Sequence, residues 1–134
     1  LDVDEHSSIK KKIVIQRTFR HRNIYINYNF LKNYDDPLFV GIKEEYEDLK
    51  KQVPNLEFYD PKDFLEIAQI IKSSRFFIGN QSVCFPIAEA LKVPRLLEAS
   101  PDTPLVQPVG KNGFDFYFQP HFEKWFKYLY ENTK

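Results

Sequence analysis

Short apolar runs alternate with stretches of helical period along nearly the whole chain, and this alternation constrains the fold most. The runs are "IVI" (13–15, ending at Gln16), "PLFVGI" (37–42), "LEFYD" (56–60), "RFFIG" (75–79), "RLLEA" (95–99) and "FDFYF" (114–118). They are rich in β-branched and aromatic residues, as strands are. Between them, Ile42, Tyr46, Leu49 and Val53 share one side of a helix over 43–52, with Glu44, Glu45, Glu47 and Asp48 outside. Asp60 as cap and Pro61 at the first position predict a helix over 61–73. Cys84, Ile87, Ala88 and Leu91 mark a third, with Pro86 in its first turn, where a missing N–H costs little. Phe122, Trp125, Phe126 and Leu129 mark a fourth. "YNFLKNYDD" (28–36) reads as a short helix, residues 1–9 as a frayed polar end, and 100–113 as loop. The run 75–79 is apolar without alternation, so both its faces are covered, as in a parallel sheet. Strand alternating with helix implies right-handed crossovers. The expected fold is α/β: a doubly wound, mostly parallel sheet of five to six strands with helices on both faces.

The chain has 134 residues, the size of a single domain (1–134, with a core of about 12–98 and a C-terminal loop and helix over 99–134). Nineteen Lys and Arg balance nineteen Asp and Glu. No global field therefore advertises nucleic acid or an anionic membrane, and any anion site must be local. Cys84 is the only cysteine, so no internal disulfide forms and a reducing, cytoplasmic setting is expected. It lies in an apolar run, where cysteines are usually inert. No stretch reaches the roughly 20 apolar residues of a transmembrane helix, and none reads as a signal peptide. A start at Leu1-Asp2 with no Met anywhere fits a piece of a longer protein.

In open parallel sheets, ligands bind outside the carboxyl ends of the strands. That rule selects four loops: Arg17–Asn23, Gly41–Glu45, Tyr59–Asp63 and Gly79–Ser82. The first, "RTFRHRN", carries Arg17, Arg20, His21 and Arg22. It reads either as a solvated basic loop or as a cationic clamp. The last, "GNQS", offers Gly79 for a tight turn, Asn80 and Gln81 as donors, and Ser82 or a neighbour as cap of the next helix. It reads either as an ordinary connection or, through free helix N–H groups, as an anion site. Strands one and four are neighbours in a doubly wound sheet, so both loops fall at the switch point. Guanidinium groups from one and N–H groups from the other could clamp a diphosphate.

"FIGNQSVCFPIAEALKVPRLLE" resembles the Rossmann-like nucleotide-sugar half of GT-B glycosyltransferases, most closely the heptosyltransferase-like group (glycosyltransferase family 9-like). Those proteins have a strand, a short Asp-Ser/Thr-Gly turn, an Ala-rich helix and a "G-x-P" strand start. Here the turn is Asn80-Gln81-Ser82, the helix Ile87-Ala88-Glu89-Ala90-Leu91, and the strand start Lys92-Val93-Pro94. "IVIQRTFRHRN" is similar to the opening strand and donor-phosphate loop of that half, and Gly41 with Glu44 or Glu45 to its second strand and turn. The likeness covers roughly residues 12–98. It implies that Gly79, Asn80, Gln81 and Ser82 hold the donor phosphates, that Arg17, Thr18, Arg20 and Arg22 contribute from the first loop, that Gly41 belongs to the site, and that Glu89 contacts the ribose. It implies a nucleoside-diphosphate sugar as substrate, an N-terminal Rossmann-like half as partner, and no cofactor or metal. The turn departs from the pattern: its acid is replaced by Asn80 or Gln81, and its glycine is gone. The chain has room for one half only.

No other motif competes. His6, His21 and His121 lack metal spacing, and no P-loop, dinucleotide fingerprint or serine-hydrolase elbow is present. Catalytic residues are not identifiable. Two functions follow: the donor-binding domain of a glycosyltransferase, or a non-catalytic Rossmann-like binding or interaction module.

Overall fold

The computed structural model describes residues 2–101 and 108–133. Six strands form one all-parallel sheet: β1 (Ile13–Gln16), β2 (Leu38–Val40), β3 (Glu57–Tyr59), β4 (Phe76–Asn80), β5 (Arg95–Glu98) and β6 (Gly113–Phe116), in the order β3-β2-β1-β4-β5-β6. The winding runs outward from β1 through β2 and β3, then returns to β4 beside β1 and runs outward the other way. The register pairs Gln16 with Gly79 at the carboxyl end of that central pair. The fold is thus α/β and doubly wound, and the switch point lies between the two loops the sequence selects.

Among the described residues four α-helices cover the sheet: α1 (Lys43–Lys50), α2 (Phe64–Lys72), α3 (Cys84–Leu91) and α4 (Gln119–Asn132). Residues 28–36 form a 3₁₀ turn at Asn29–Asn33. Strand side chains alternate between the two faces. Ile13, Ile15, Phe39, Phe76, Ile78, Leu96 and Phe116 meet Leu31, Leu49 and α4 on one face. Val14, Leu38, Val40, Phe77 and Leu97 meet α2 and α3 on the other. All five residues of β4 are buried, which is why that segment reads as apolar without alternation. The α4 stripe is core: Phe122, Phe126 and Leu129 have no exposure, and Trp125 stacks on Phe114 with ring centroids 4.1 Å apart.

Three local expectations are corrected. The second helix starts at Phe64, not Pro61, because Asp63 takes an extended backbone and its carboxylate accepts the N–H of Glu66. Gly79 makes no turn, since the strand continues through Asn80. Its missing side chain admits the Phe77 ring, which would lie 2.6 Å from a Cβ there. The N-terminal segment is fastened rather than frayed from His6 onward. The His6 N–H donates to Ser73 Oγ at 2.7 Å, its Nδ1 accepts from Ser8 N and Ile9 N, and its Nε2 lies 3.0 Å from Glu66 Oε2.

Hydrogen bonds from Tyr59 Oη, from His6 and from the Lys62 N–H hold the Glu66 carboxyl down at about 2, from an ordinary 4.5. A depressed carboxyl stabilises the fold fully above its unfolded pKa and loses that contribution as pH falls through the folded one. Denaturation midpoints should therefore drop between pH 4.5 and 2. Glu66→Gln should flatten that part of the profile, as urea titrations at stepped pH would check.

Candidate functional site

The carboxyl edge carries a cleft of about 300 Å³ lined by Thr18, Arg20, His21, Glu45, Gln81, Ser82 and Val83. Three of the selected loops build it: the one after β1, the start of α1 after β2, and the turn between β4 and α3.

The loop after β1 is a folded strap. Asn80, fully buried, grips it with its whole amide: Oδ1 accepts from Thr18 N at 3.0 Å and from Thr18 Oγ1 at 3.2 Å, and Nδ2 donates to Thr18 O at 3.0 Å and Arg20 O at 2.9 Å. Only an amide presents an acceptor and two donors this way. An acid would not serve here: a carboxylate would face the two carbonyl oxygens of Thr18 and Arg20. A second tie runs from Ser82 Oγ to Gln16 Oε1 across the same strand pair.

The arginines divide. Arg17 is 3% exposed and turned inward; Nε donates to Glu98 Oε1 at 2.8 Å and Nη2 to Glu98 Oε2 at 3.0 Å. The same carboxylate accepts Tyr28 Oη at 2.7 Å and Asn23 N at 2.8 Å. Burial and the Glu98 charge push the Tyr28 phenol well above its ordinary value, so it stays a donor. Arg22 lies over the Phe19 ring and pairs with Asp48 Oδ2 at 2.6 Å. Arg20 remains exposed at the cleft, and His21 lines it with φ 58. Among the described residues neither side chain has a hydrogen bond or an ion pair.

The expectation that Arg17 faces a ligand is thereby corrected, since a buried guanidinium with a carboxylate is committed to the fold. Arg22 is likewise held by Asp48. Glu89 is placed at the opposite edge of the sheet: Arg95 Nε donates to its Oε1 at 2.7 Å, and Lys92 Nζ and Val109 N reach its Oε2. Gly41, at φ 147, follows β2, and a Cβ there would lie 3.1 Å from the Phe39 ring and 3.5 Å from Gln16 Nε2. The structure brings together Thr18, Arg20, Gln81 and Ser82. No side chain caps α3, whose N-cap is Val83 rather than Ser82, so the first N–H groups of α3 have no side-chain acceptor.

Two cleft residues were missed as site residues by sequence reasoning. Glu45 reads as an outward residue with its acidic neighbours, yet it is 8% exposed and accepts the Phe19 N–H at 3.1 Å. The available signal was its position at the end of the selected loop Gly41–Glu45. His21 reads as part of the basic loop, but its place in the cleft without a side-chain partner among the described residues comes only from the fold. Beside Glu45, burial and the Glu45 charge push the Cys84 thiol up to about 12, so it is no nucleophile.

Large apolar side chains stay exposed around this edge, among them Phe19, Ile24, Tyr25, Ile42, Phe64 and Val83. Among the described residues no three His, Cys, Asp or Glu side chains gather to hold a metal ion, and no helix is long and apolar enough to cross a membrane. No protein-family model matches the chain, and no curated protein or solved structure matches it.

Proposed function

We propose that the cleft binds the diphosphate of a nucleoside-diphosphate sugar and that the chain is the donor-binding domain of a GT-B-like glycosyltransferase. The observation that carries this reading is the placement of two unpaired basic side chains, Arg20 and His21, opposite the uncapped N-terminus of α3 at the switch point of the sheet. Guanidinium and helix N–H groups match phosphate oxygens. Glu45, also in the lining, accepts hydroxyl hydrogen bonds from the sugar or ribose. In the complete enzyme, an N-terminal Rossmann-like half brings the acceptor, and the positive groups stabilise the departing diphosphate as its charge develops.

A second reading, a non-catalytic interaction module, draws on the exposed apolar side chains around the cleft, which mark interaction surfaces. Calorimetry and thermal shift against ADP, GDP, UDP, CMP and their sugars separate the two. The donor-site reading expects one nucleotide to raise the melting temperature by mass action. Arg20→Ala should weaken that binding by about ten- to a hundredfold, the worth of a charge-assisted hydrogen bond, with the melting temperature of the free protein unchanged. Unchanged affinity in that variant would move the ligand elsewhere, and no response to any nucleotide favours the module.

A further inference from the structure

The two edges of the sheet differ. At β3, Glu57 turns its N–H to Pro37 O on the β2 side, and Leu56 O just before it already accepts Tyr46 Oη and Lys50 Nζ. Only Phe58 there presents its backbone outward. At β6, Arg95 N donates to Asn112 O at 2.9 Å and Ala99 N to Phe116 O at 3.0 Å. In this parallel register the even-numbered residues bond to β5, and Gly113 and Asp115 turn both N–H and C=O to the open side. Among the described residues nothing bonds to those groups. Edge strands are commonly blunted by proline, lysine or a bulge; β6 reads Gly-Phe-Asp-Phe with an unbroken ladder. A groove of about 320 Å³, lined by Pro108, Gly113, Phe114, Asp115 and Trp125, lies against it.

We propose that β6 is a self-association edge: a second copy of this chain adds its own β6 antiparallel, and the two sheets join into one. This inference does not depend on the donor site. Symmetry fixes the register. A two-fold axis beside Phe114 sets each Gly113 opposite the second copy's Asp115, as a pair that exchanges both N–H···O bonds. No other antiparallel register pairs both open residues of one strand with both of the other. Phe114 then faces its own counterpart, an aromatic cross-strand pair, and each ring is backed by its Trp125 stack. Charge favours a second copy over an arbitrary strand. Asp115 has no ion pair among the described residues. Opposite it, the second copy presents a glycine, where Arg95 Nη2 lies 2.7 Å from the place a Cβ would take. Arg95 and Lys92 share a single carboxylate, that of Glu89, so two cations against one anion leave this cluster a surplus positive charge. Each copy brings a lone carboxylate to the other's surplus cation.

Sedimentation velocity over a concentration series tests this. The wild type should pass from monomer to dimer with a dissociation constant of about 1–100 µM, as small interfaces give. Asp115→Pro removes an outward N–H and leaves the β5 ladder intact, because proline is tolerated where the N–H faces off an edge; this variant should stay monomeric. Asp115→Arg should raise the dissociation constant about a hundredfold or more, because like charges then meet across the interface. Its melting temperature in the dilute, monomeric range should match that of the wild type, which separates lost pairing from lost folding. Phe114→Cys should give a disulfide-linked dimer with oxidised glutathione, since Cα atoms about 4.5 Å apart lie within disulfide range; Cys84 is buried and takes no part. A wild type that is still monomeric at about 1 mM overturns the pairing and leaves the edge to another protein's strand. A dimer that forms as tightly in either Asp115 variant also overturns it, and assigns the association to another face.

Discussion

Asn80→Asp should lower the stability of this protein by roughly 3–5 kcal/mol at neutral pH. The carbonyls of Thr18 and Arg20 lose the amide donor, and although each keeps a second donor, Arg22 Nε for Thr18 and Thr18 Oγ1 for Arg20, both now face a carboxylate, and breaking a buried polar arrangement around an uncompensated charge costs about that much. The new carboxylate is fully buried and faces those oxygens instead, and the nearby Arg22 guanidinium is already engaged with Asp48. Small domains are stable by only about 5–15 kcal/mol, so the variant approaches the unfolding threshold. The introduced carboxyl has a raised folded pKa, so protonation is favoured in the folded state and the deficit should shrink as pH falls. Gln81→Asp, one residue on and half-exposed, should stay within about 0.5 kcal/mol of the wild type. Urea denaturation of both variants checks this. An Asn80→Asp protein as stable as Gln81→Asp would mean that the amide clasp does not hold the strap.

Glu98→Ala should cost about as much, roughly 3–5 kcal/mol, for a different reason. Removing this carboxylate leaves the Arg17 guanidinium buried without its counter-charge, and breaking a buried pair costs about that much. Tyr28 Oη and Asn23 N lose the same acceptor. Arg17 and Glu98 act as a unit, so Arg17→Met with Glu98→Leu should be less damaging than the two single changes added together. A double-mutant cycle from chemical denaturation would measure that coupling, expected at about 1–3 kcal/mol. Additive single effects would show that the pair is not coupled.

Both residues show where the sequence was legible and where it was not. The strands and helices follow from local pattern. An unbroken apolar run over 76–78 means a strand buried on both faces, and Phe122, Phe126 and Leu129 at helical spacing mean a helix against a core. The boundary of α2 was harder because two caps compete within four residues. Asp60 with Pro61 satisfies the same local rule as Asp63, and only the backbone path leaving β3 selects Asp63.

The site divides along the same line. The rule that ligands sit at the carboxyl ends of parallel strands located the edge, because chain direction in a doubly wound sheet follows from element order. It did not sort the three arginines. Arg17, Arg20 and Arg22 are alike in a local reading, yet Arg17 meets a carboxylate 81 positions away and Arg22 meets one 26 positions away. One trace was visible. Glu98 closes a buried strand that Arg95 opens, and a buried charge requires a partner. The sequence does not say which arginine supplies it.

The sequence by itself determined the alternation, the parallel sheet and which loops share the carboxyl edge, because these depend on hydrophobic period and chain order. Tertiary structure alone decided that Arg17 holds the fold, that Asn80 clasps the strap, that Glu45 turns inward and that Arg20 and His21 line the cleft without a side-chain partner among the described residues. Those assignments depend on which charges and hydrogen-bonding groups meet in the low-dielectric interior, and on the distances between them. Such meetings join residues dozens of positions apart, where no local pattern in the sequence reaches.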